Sequence, residues 1–162
     1  EDLAQALKEK HLAGAAIDVF PVEPASNKEV FVSPLQNLPN VILTSHIGGS
    51  TQEAQVAIGH EVSQSFISYL RIGATSGAVN FPNVDLPVHE SHRILNVHQN
   101  EPGVLGEINS IVSAVGGNIQ AQFLSTDPHI GYLVMDVENA EARAIADRIG
   151  DIKRSIKTRV VY

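Results

Sequence analysis

The sequence predicts an α/β protein in two parts: the end of a parallel sheet, then a four-stranded antiparallel sheet covered by two helices. Three observations carry that prediction. Val41, Ile42 and Leu43 form a short apolar run of the kind a buried parallel strand shows, and Ala15 to Phe20 form another. Between Ile72 and Pro87, two glycines, two prolines and short polar residues break the pattern. From Arg93 onward, strand-like alternation and helical periodicity take turns in the order βαββαβ.

Leu3, Ala6 and Leu7 share one face of a short first helix. Residues 15–20, AAIDVF, form a strand, and Pro21, Pro24, Ser26, Asn27 and Pro34 mark a long loop. A strand over 41–45 follows. His46 falls where it ends, and Gly48 and Gly49 let the backbone turn sharply. Ser50 with Glu53 makes the S-x-x-E pattern of a helix capping box. The helix runs from about Thr51 to Leu70, with Ala54, Ala57, Ile58, Val62, Phe66, Tyr69 and Leu70 in one apolar stripe. That stripe needs a partner surface, in a preceding segment or in a second copy. A strand with a histidine at its carboxyl end is how open α/β sheets place reactive groups, because ligands bind outside the strand ends.

Residues 72–87 are a linker between a first part, 1–71, and a second, 88–162. In the second part Arg93–His98 is a strand. Pro102 to Val115 is a helix with Val104, Leu105, Ile108, Ile111, Val112 and Val115 on one side, closed by Gly116 and Gly117. Asn118–Thr126 and Gly131–Val137 are strands joined by a turn at Asp127–His129. Ala140–Ile149 is a helix and Lys153–Val161 a final strand. This is the split ferredoxin-like arrangement.

The chain has 162 residues, room for one ordinary domain or two small ones. Hydrophobic residues at 43% supply a core, and 18% charged residues exclude a disordered chain. The net charge of −7, with no lysine- or arginine-rich run, argues against nucleic acid or an anionic membrane as partner. There is no cysteine, so no disulfide framework, which is compatible with a reducing cytosol. No apolar run reaches membrane-spanning length. The opening EDLAQALKEKHLAG starts in mid-helix without an initiating Met, as expected of the carboxyl-terminal piece of something longer.

Histidine suits proton transfer because its ordinary pKa, about 6.5, lies near working pH. A carboxylate on its other nitrogen would fix the tautomer and stabilise the imidazolium. From the residues alone, His46 and Glu23 are either such a pair or a structural loop histidine and a solvated charge. Asp18 lies inside an apolar run, where a carboxylate is costly unless paired. A buried acid holding a neighbouring loop is one account of it. Asn96, His98 and Asn100 share one side of a strand by alternation, if the strand runs that far. The helix starting near Pro102 offers free backbone N–H groups suited to a carboxylate. The plain alternatives are that Asn100 is an N-cap and Asn118 a turn residue. His11, His60, His89, His92 and His129 show no metal-ligand spacing.

The runs GAAIDVFPVEP, PNVILTSHIGGST, AVNFP and ILNVHQNEPGVLGEIN together bring a family into view. The chain resembles the carboxyl-terminal portion of NAD-dependent D-2-hydroxyacid dehydrogenases that carry an ACT domain. The resemblance implies the end of a Rossmann-type domain followed by a ferredoxin-like ACT regulatory domain. It narrows to the branch that oxidises 3-phospho-D-glycerate to 3-phosphohydroxypyruvate in serine biosynthesis. It implies His46 as acid/base with Glu23 as its partner. Asp18 would accept a hydrogen bond from the nicotinamide carboxamide, and His46, Ile47, Gly48 and Gly49 would line the nicotinamide pocket, the glycine pair also serving as a hinge. It further implies an L-serine effector held by His98, Asn100 and Asn118, with Asn118 reaching across a dimer. The parent would be a cytoplasmic homotetramer whose ACT domains pair side by side. No G-x-G-x-x-G occurs in the chain, and the substrate-binding arginine expected before Asp18 is absent. The piece alone is therefore expected to be inactive. Glu90 and Ser91 stand where the bacterial type has a glycine pair, so the resemblance does not extend to a hinge at that joint. The competing class is an amino-acid-binding regulatory module without catalytic activity.

Overall fold

Ala4 and Leu7, on one face of α1 (Asp2–Lys8), pack with Leu35, Ile17 and Val41. Ile17 and Val41 belong to β1 (Ala15–Ile17) and β2 (Val41–Leu43), which pair in parallel with Ala15 opposite Val41. The structure, a computed structural model, describes residues 1–26, 28–88, 92–138 and 142–162. The chain divides into two units, Glu1–Ile58 and Gly59–Tyr162. β1 ends three residues before the expected boundary at Phe20. The cause is Asp18, whose carboxylate turns to the chain that follows β2 instead of continuing the ladder.

α2 spans Gln52–Ile72. Its first turn is capped by Thr51, whose Oγ1 accepts the Ala54 N–H at 3.1 Å. Ser50, the expected cap, instead donates its N–H to the Ile47 carbonyl in a turn. No residue of α2 is buried, and Ile58, Val62, Phe66, Tyr69 and Leu70 of the expected stripe are exposed.

The second unit carries β3 (His92–Gln99), α3 (Val104–Ala114), β4 (Asn118–Thr126), β5 (Ile130–Glu138), α4 (Ala142–Gly150) and β6 (Ser155–Val161). The sheet order is β4-β5-β3-β6, with all neighbours antiparallel. This is the expected βαββαβ topology. The first two positions of the helix expected from Ala140 lie outside the described residues. α3 stops because Gly116 takes φ of +71°, which frees the Gly117 N–H to reach the Val112 carbonyl and the Gly116 N–H to reach Ser113. Those two bonds form a Schellman motif.

The two faces of the sheet are both covered. On one, Ile94, Leu133, Met135 and Val137 pack against Val104, Ile108 and Val112 of α3 and Ile145 and Ile149 of α4. On the other, Leu95, Tyr132, Val134 and Val161 pack against Phe81, Val84 and Leu86. Part of the stretch expected to be a linker thus packs on the sheet. Its glycines and prolines prevent regular secondary structure, while its apolar residues give it a seat on the sheet. Tyr132 donates its hydroxyl to the Gly73 carbonyl at 2.7 Å. Burial pushes that phenol up to about 12. The Glu90–Ser91 joint lies outside the described residues.

A charge sits at the centre of this docking. Arg93 is wholly buried and forms two parallel bonds to Asp136, at 2.6 and 2.8 Å. Its remaining Nη1 donates to the carbonyls of Ile72 and Pro87. Removing one partner of such a pair leaves an uncompensated buried charge and costs about 3–5 kcal/mol, whereas an apolar pair of similar volume is often neutral. Asp136→Ala is expected to lower stability by roughly that amount in urea unfolding, and the double replacement Arg93→Met with Asp136→Leu to lower it much less.

Candidate functional site

The first site is assembled by the loop that follows β2. Asp18, just past β1, accepts the Thr44 hydroxyl at 2.5 Å and the His46 N–H at 2.9 Å, both on Oδ1. These bonds tie the ends of the two strands together. They also hold His46 at φ of +51°, in the left-handed region where non-glycine residues are uncommon. The unusual backbone angle expected at Gly48 and Gly49 therefore falls on His46 instead. Neither glycine adopts positive φ. Asp18 is exposed, so the account of it as a buried acid is corrected, though it does hold the neighbouring loop.

His46 Nδ1 lies 2.9 and 3.0 Å from the two carboxylate oxygens of Glu23. Glu23 is itself oriented by the Phe20 N–H, which donates to Oε1 at 3.0 Å. The structure thus brings together three residues singled out in the sequence: Asp18, Glu23 and His46. Glu23, His46 and Ile47 line a cleft of about 660 Å³, along with Phe20, Phe31, Leu43 and Thr44. Phe20 and Phe31 meet edge to face, with ring centroids 4.7 Å apart. Thr44 and the Phe20 N–H were not legible as site groups, because each acts through a loop geometry that the apolar pattern does not encode.

The electrostatics follow from these bonds. Hydrogen bonding to Glu23, and then its negative charge, hold the His46 imidazole above its ordinary value. The Phe20 N–H and then His46 hold Glu23 below its ordinary value. The Thr44 hydroxyl and the His46 N–H do the same for Asp18.

The second group of residues lies in the second unit. β3 ends at Gln99, so alternation places Asn96 and His98 on the helix-covered face but stops short of Asn100. His98 is buried, and its Nδ1 lies 3.0 Å from Asn96 Oδ1. Burial holds His98 below its ordinary value. Asn100 is not an N-cap: Gly103 occupies that position before α3, and Asn100 donates to the Asp127 carbonyl at 2.7 Å. Asn118, exposed at the start of β4, donates to Glu138 at 3.1 Å. His98 is opposite Gly131, and Asn118 is opposite Glu138, seven residues further along β5. At about 3.3 Å per residue they are offset by roughly 23 Å along the strand direction within one chain. Gly131 was not singled out in the sequence. A Cβ there would collide with the His98 ring, so the glycine is what lets the imidazole lie across β5. No group of three or more potential metal ligands occurs among the described residues, and His89 lies outside them. No described helix is long and apolar enough to cross a membrane.

Residues 1–48 match the family described as D-isomer specific 2-hydroxyacid dehydrogenase, NAD binding domain, and residues 94–157 match the AHAS small subunit-like ACT domain. The D-3-phosphoglycerate dehydrogenase of Haemophilus influenzae is 53% identical over 161 residues, covering 99% of this chain and 39% of that protein. Over nearly its whole length the chain is similar to D-3-phosphoglycerate dehydrogenases. Those of Dictyostelium discoideum and Escherichia coli are 52% and 50% identical, each over 99% of this chain and about two fifths of their own length. The chain thus spans about two fifths of the length of the curated relatives it matches. Among solved structures, the ACT domain from GTP pyrophosphokinase of Chlorobium tepidum is 15% identical, with a TM-score of 0.39, over 43% of this chain and 95% of that one. The family resemblance and the α/β fold class expected from the sequence both hold.

The residues around His46 fit the nicotinamide end of an NAD. A Cβ added at Gly48 or Gly49 would meet nothing within 4 Å, so the backbone there faces open space. Asp18 spends only Oδ1 on the loop, which leaves Oδ2 to accept a carboxamide N–H.

The linkage has a definite sign. His46 with a raised folded-state value contributes stability below its ordinary value, and this is lost as pH rises through the raised one. Glu23 contributes above its ordinary value, and this is lost as pH falls through the lowered one. The ion pair is complete between the two. Glu23→Gln is expected to move the His46 titration, followed by NMR of its ring protons, toward lower pH. Added salt is expected to do the same to a smaller extent, because the pair is exposed.

Proposed function

We propose that residues 1 to about 71 carry the acid/base half of an NAD-dependent D-3-phosphoglycerate dehydrogenase, and that the second part is its amino-acid-sensing regulatory domain. The reaction is the oxidation of 3-phospho-D-glycerate to 3-phosphohydroxypyruvate, which feeds L-serine biosynthesis in the cytoplasm. The observation that carries this reading is the Glu23–His46 pair at the carboxyl end of β2, set in a cleft beside Asp18.

Glu23 occupies Nδ1 of His46, so Nε2 is the nitrogen that takes the proton from the substrate hydroxyl. NAD, when bound, supplies the hydride acceptor. Glu23 stabilises the imidazolium that results, and Asp18 keeps the imidazole at the strand end while orienting the carboxamide. Ile47, Gly48 and Gly49 line the space for the nicotinamide. In the reverse direction the same imidazolium returns the proton to the carbonyl oxygen.

The effector is a small zwitterion, L-serine, held by His98, Asn100 and Asn118. Because Asn118 is offset from His98 by roughly 23 Å along the strand direction in one chain, a shared site takes Asn118 from a second copy. β4 and β6 are the sheet edges through which such copies pair, in a homotetramer.

The chain by itself is expected to form no NADH from 3-phospho-D-glycerate. Joined to the amino-terminal part of the Haemophilus influenzae relative, it is expected to do so. His46→Ala in that protein should then lower kcat by about 10²- to 10⁴-fold. NADH formation by the chain alone would overturn the reading. Failure of the joined protein, with L-serine heat retained in calorimetry, would leave only the amino-acid-binding module.

A further inference from the structure

Asn96 makes more hydrogen bonds than any role given to it so far requires. Its Nδ2 faces the Ser155 hydroxyl at 2.8 Å, the Thr158 hydroxyl at 3.0 Å and the Lys157 carbonyl at 3.4 Å. A backbone carbonyl can only accept, so the amino group of the amide must point that way. A flipped amide would set oxygen against oxygen. Oδ1 is therefore the atom 3.0 Å from His98 Nδ1, and that nitrogen must be the donor. A neutral imidazole has one N–H to give. Nε2 is then a bare acceptor.

The surroundings agree. His98 is 3% exposed, and burial favours its neutral form. No buried side-chain nitrogen or oxygen among the described residues lacks a partner, and Nε2 makes no hydrogen bond there. Nε2 therefore keeps some of the small exposure of His98. Gly131 beneath the ring supplies the room that orientation needs.

We propose that Asn96 is a positioning residue that fixes His98 as the Nδ1–H tautomer, so that Nε2 presents a lone pair to a hydrogen-bond donor of the bound amino acid. The group that meets it is an ammonium or a hydroxyl. A carboxylate, acceptor only, is repelled there and must find its partners elsewhere in the site. The ligand's identity rests on the effector reading above; the tautomer does not.

The test uses this chain with ¹⁵N-labelled histidine, and imidazole nitrogen shifts for the tautomer with calorimetry for L-serine. In the parent chain His98 is expected to show a protonated Nδ1 and an unprotonated Nε2. Asn96→Ala should give a mixture of tautomers and about a tenfold loss of L-serine affinity, with circular dichroism unchanged. Ser155→Ala, which removes only one of the three oxygens facing Nδ2, should leave the tautomer as it is. An Nε2–H tautomer in the parent chain, or a tautomer indifferent to Asn96→Ala, would overturn the proposal. The expected tautomers without any L-serine heat would support the role of Asn96 and sink the effector reading instead.

Discussion

The site in the first unit depends on one carboxylate oxygen. Asp18 Oδ1 takes both the Thr44 hydroxyl and the His46 N–H, and so joins the end of β1 to the loop after β2. Without it, nothing in the local sequence favours φ of +51° at His46, since a side chain in that region crowds its own backbone. With it, the imidazole is directed at Glu23 across the loop. The parallel pairing of Ala15 with Val41 sets the stagger that makes this reach possible. Two three-residue strands thus fix a constellation whose members lie up to 28 residues apart in the chain.

Most of the fold of the second unit was legible because its signals are periodic. β4 runs from Asn118 to Thr126 as alternation predicts, with exposure itself alternating along it. α3 ends where the glycine pair says it must. What was not legible depends on partners remote in sequence. Nothing around Arg93 announces that Asp136 waits on β5, because a charged residue at a strand end looks like a solvated one. The packing of residues 72–87, expected as a linker, was also set by partners remote in sequence. Glycine and proline mark irregular backbone, and irregular backbone is not the same thing as mobile backbone. Phe81, Val84 and Leu86 were the signal, since an unattached tether has no use for them.

In the first site the pattern was partly legible. His46 stood out by its place at a strand end, and Glu23 by family resemblance. The cap was assigned one residue early, to Ser50, and the strained backbone to the glycines. Both errors share a cause: residue-type rules place a turn but not the residue within it that bears the angle. The angle went to His46 because Asp18 bonds its N–H, a contact between residues 18 and 46 that no local rule contains.

On the proposed reading, the two histidines set one side chain to opposite tasks. His46 is exposed and faces a carboxylate, which favours the imidazolium and keeps a proton in play. His98 is buried and faces an amide oxygen, which can take a hydrogen bond but gives little charge stabilisation in return. Desolvation then decides, and the ring stays neutral. A group that must gain and lose a proton in each cycle is best left in water beside a counter-charge. A group that must recognise a donor is best held dry, with one tautomer enforced from behind. Exchanging the two surroundings would defeat both tasks: an imidazolium at position 98 has no lone pair to offer, and a desolvated neutral ring at position 46 is a weaker base for an alcohol proton.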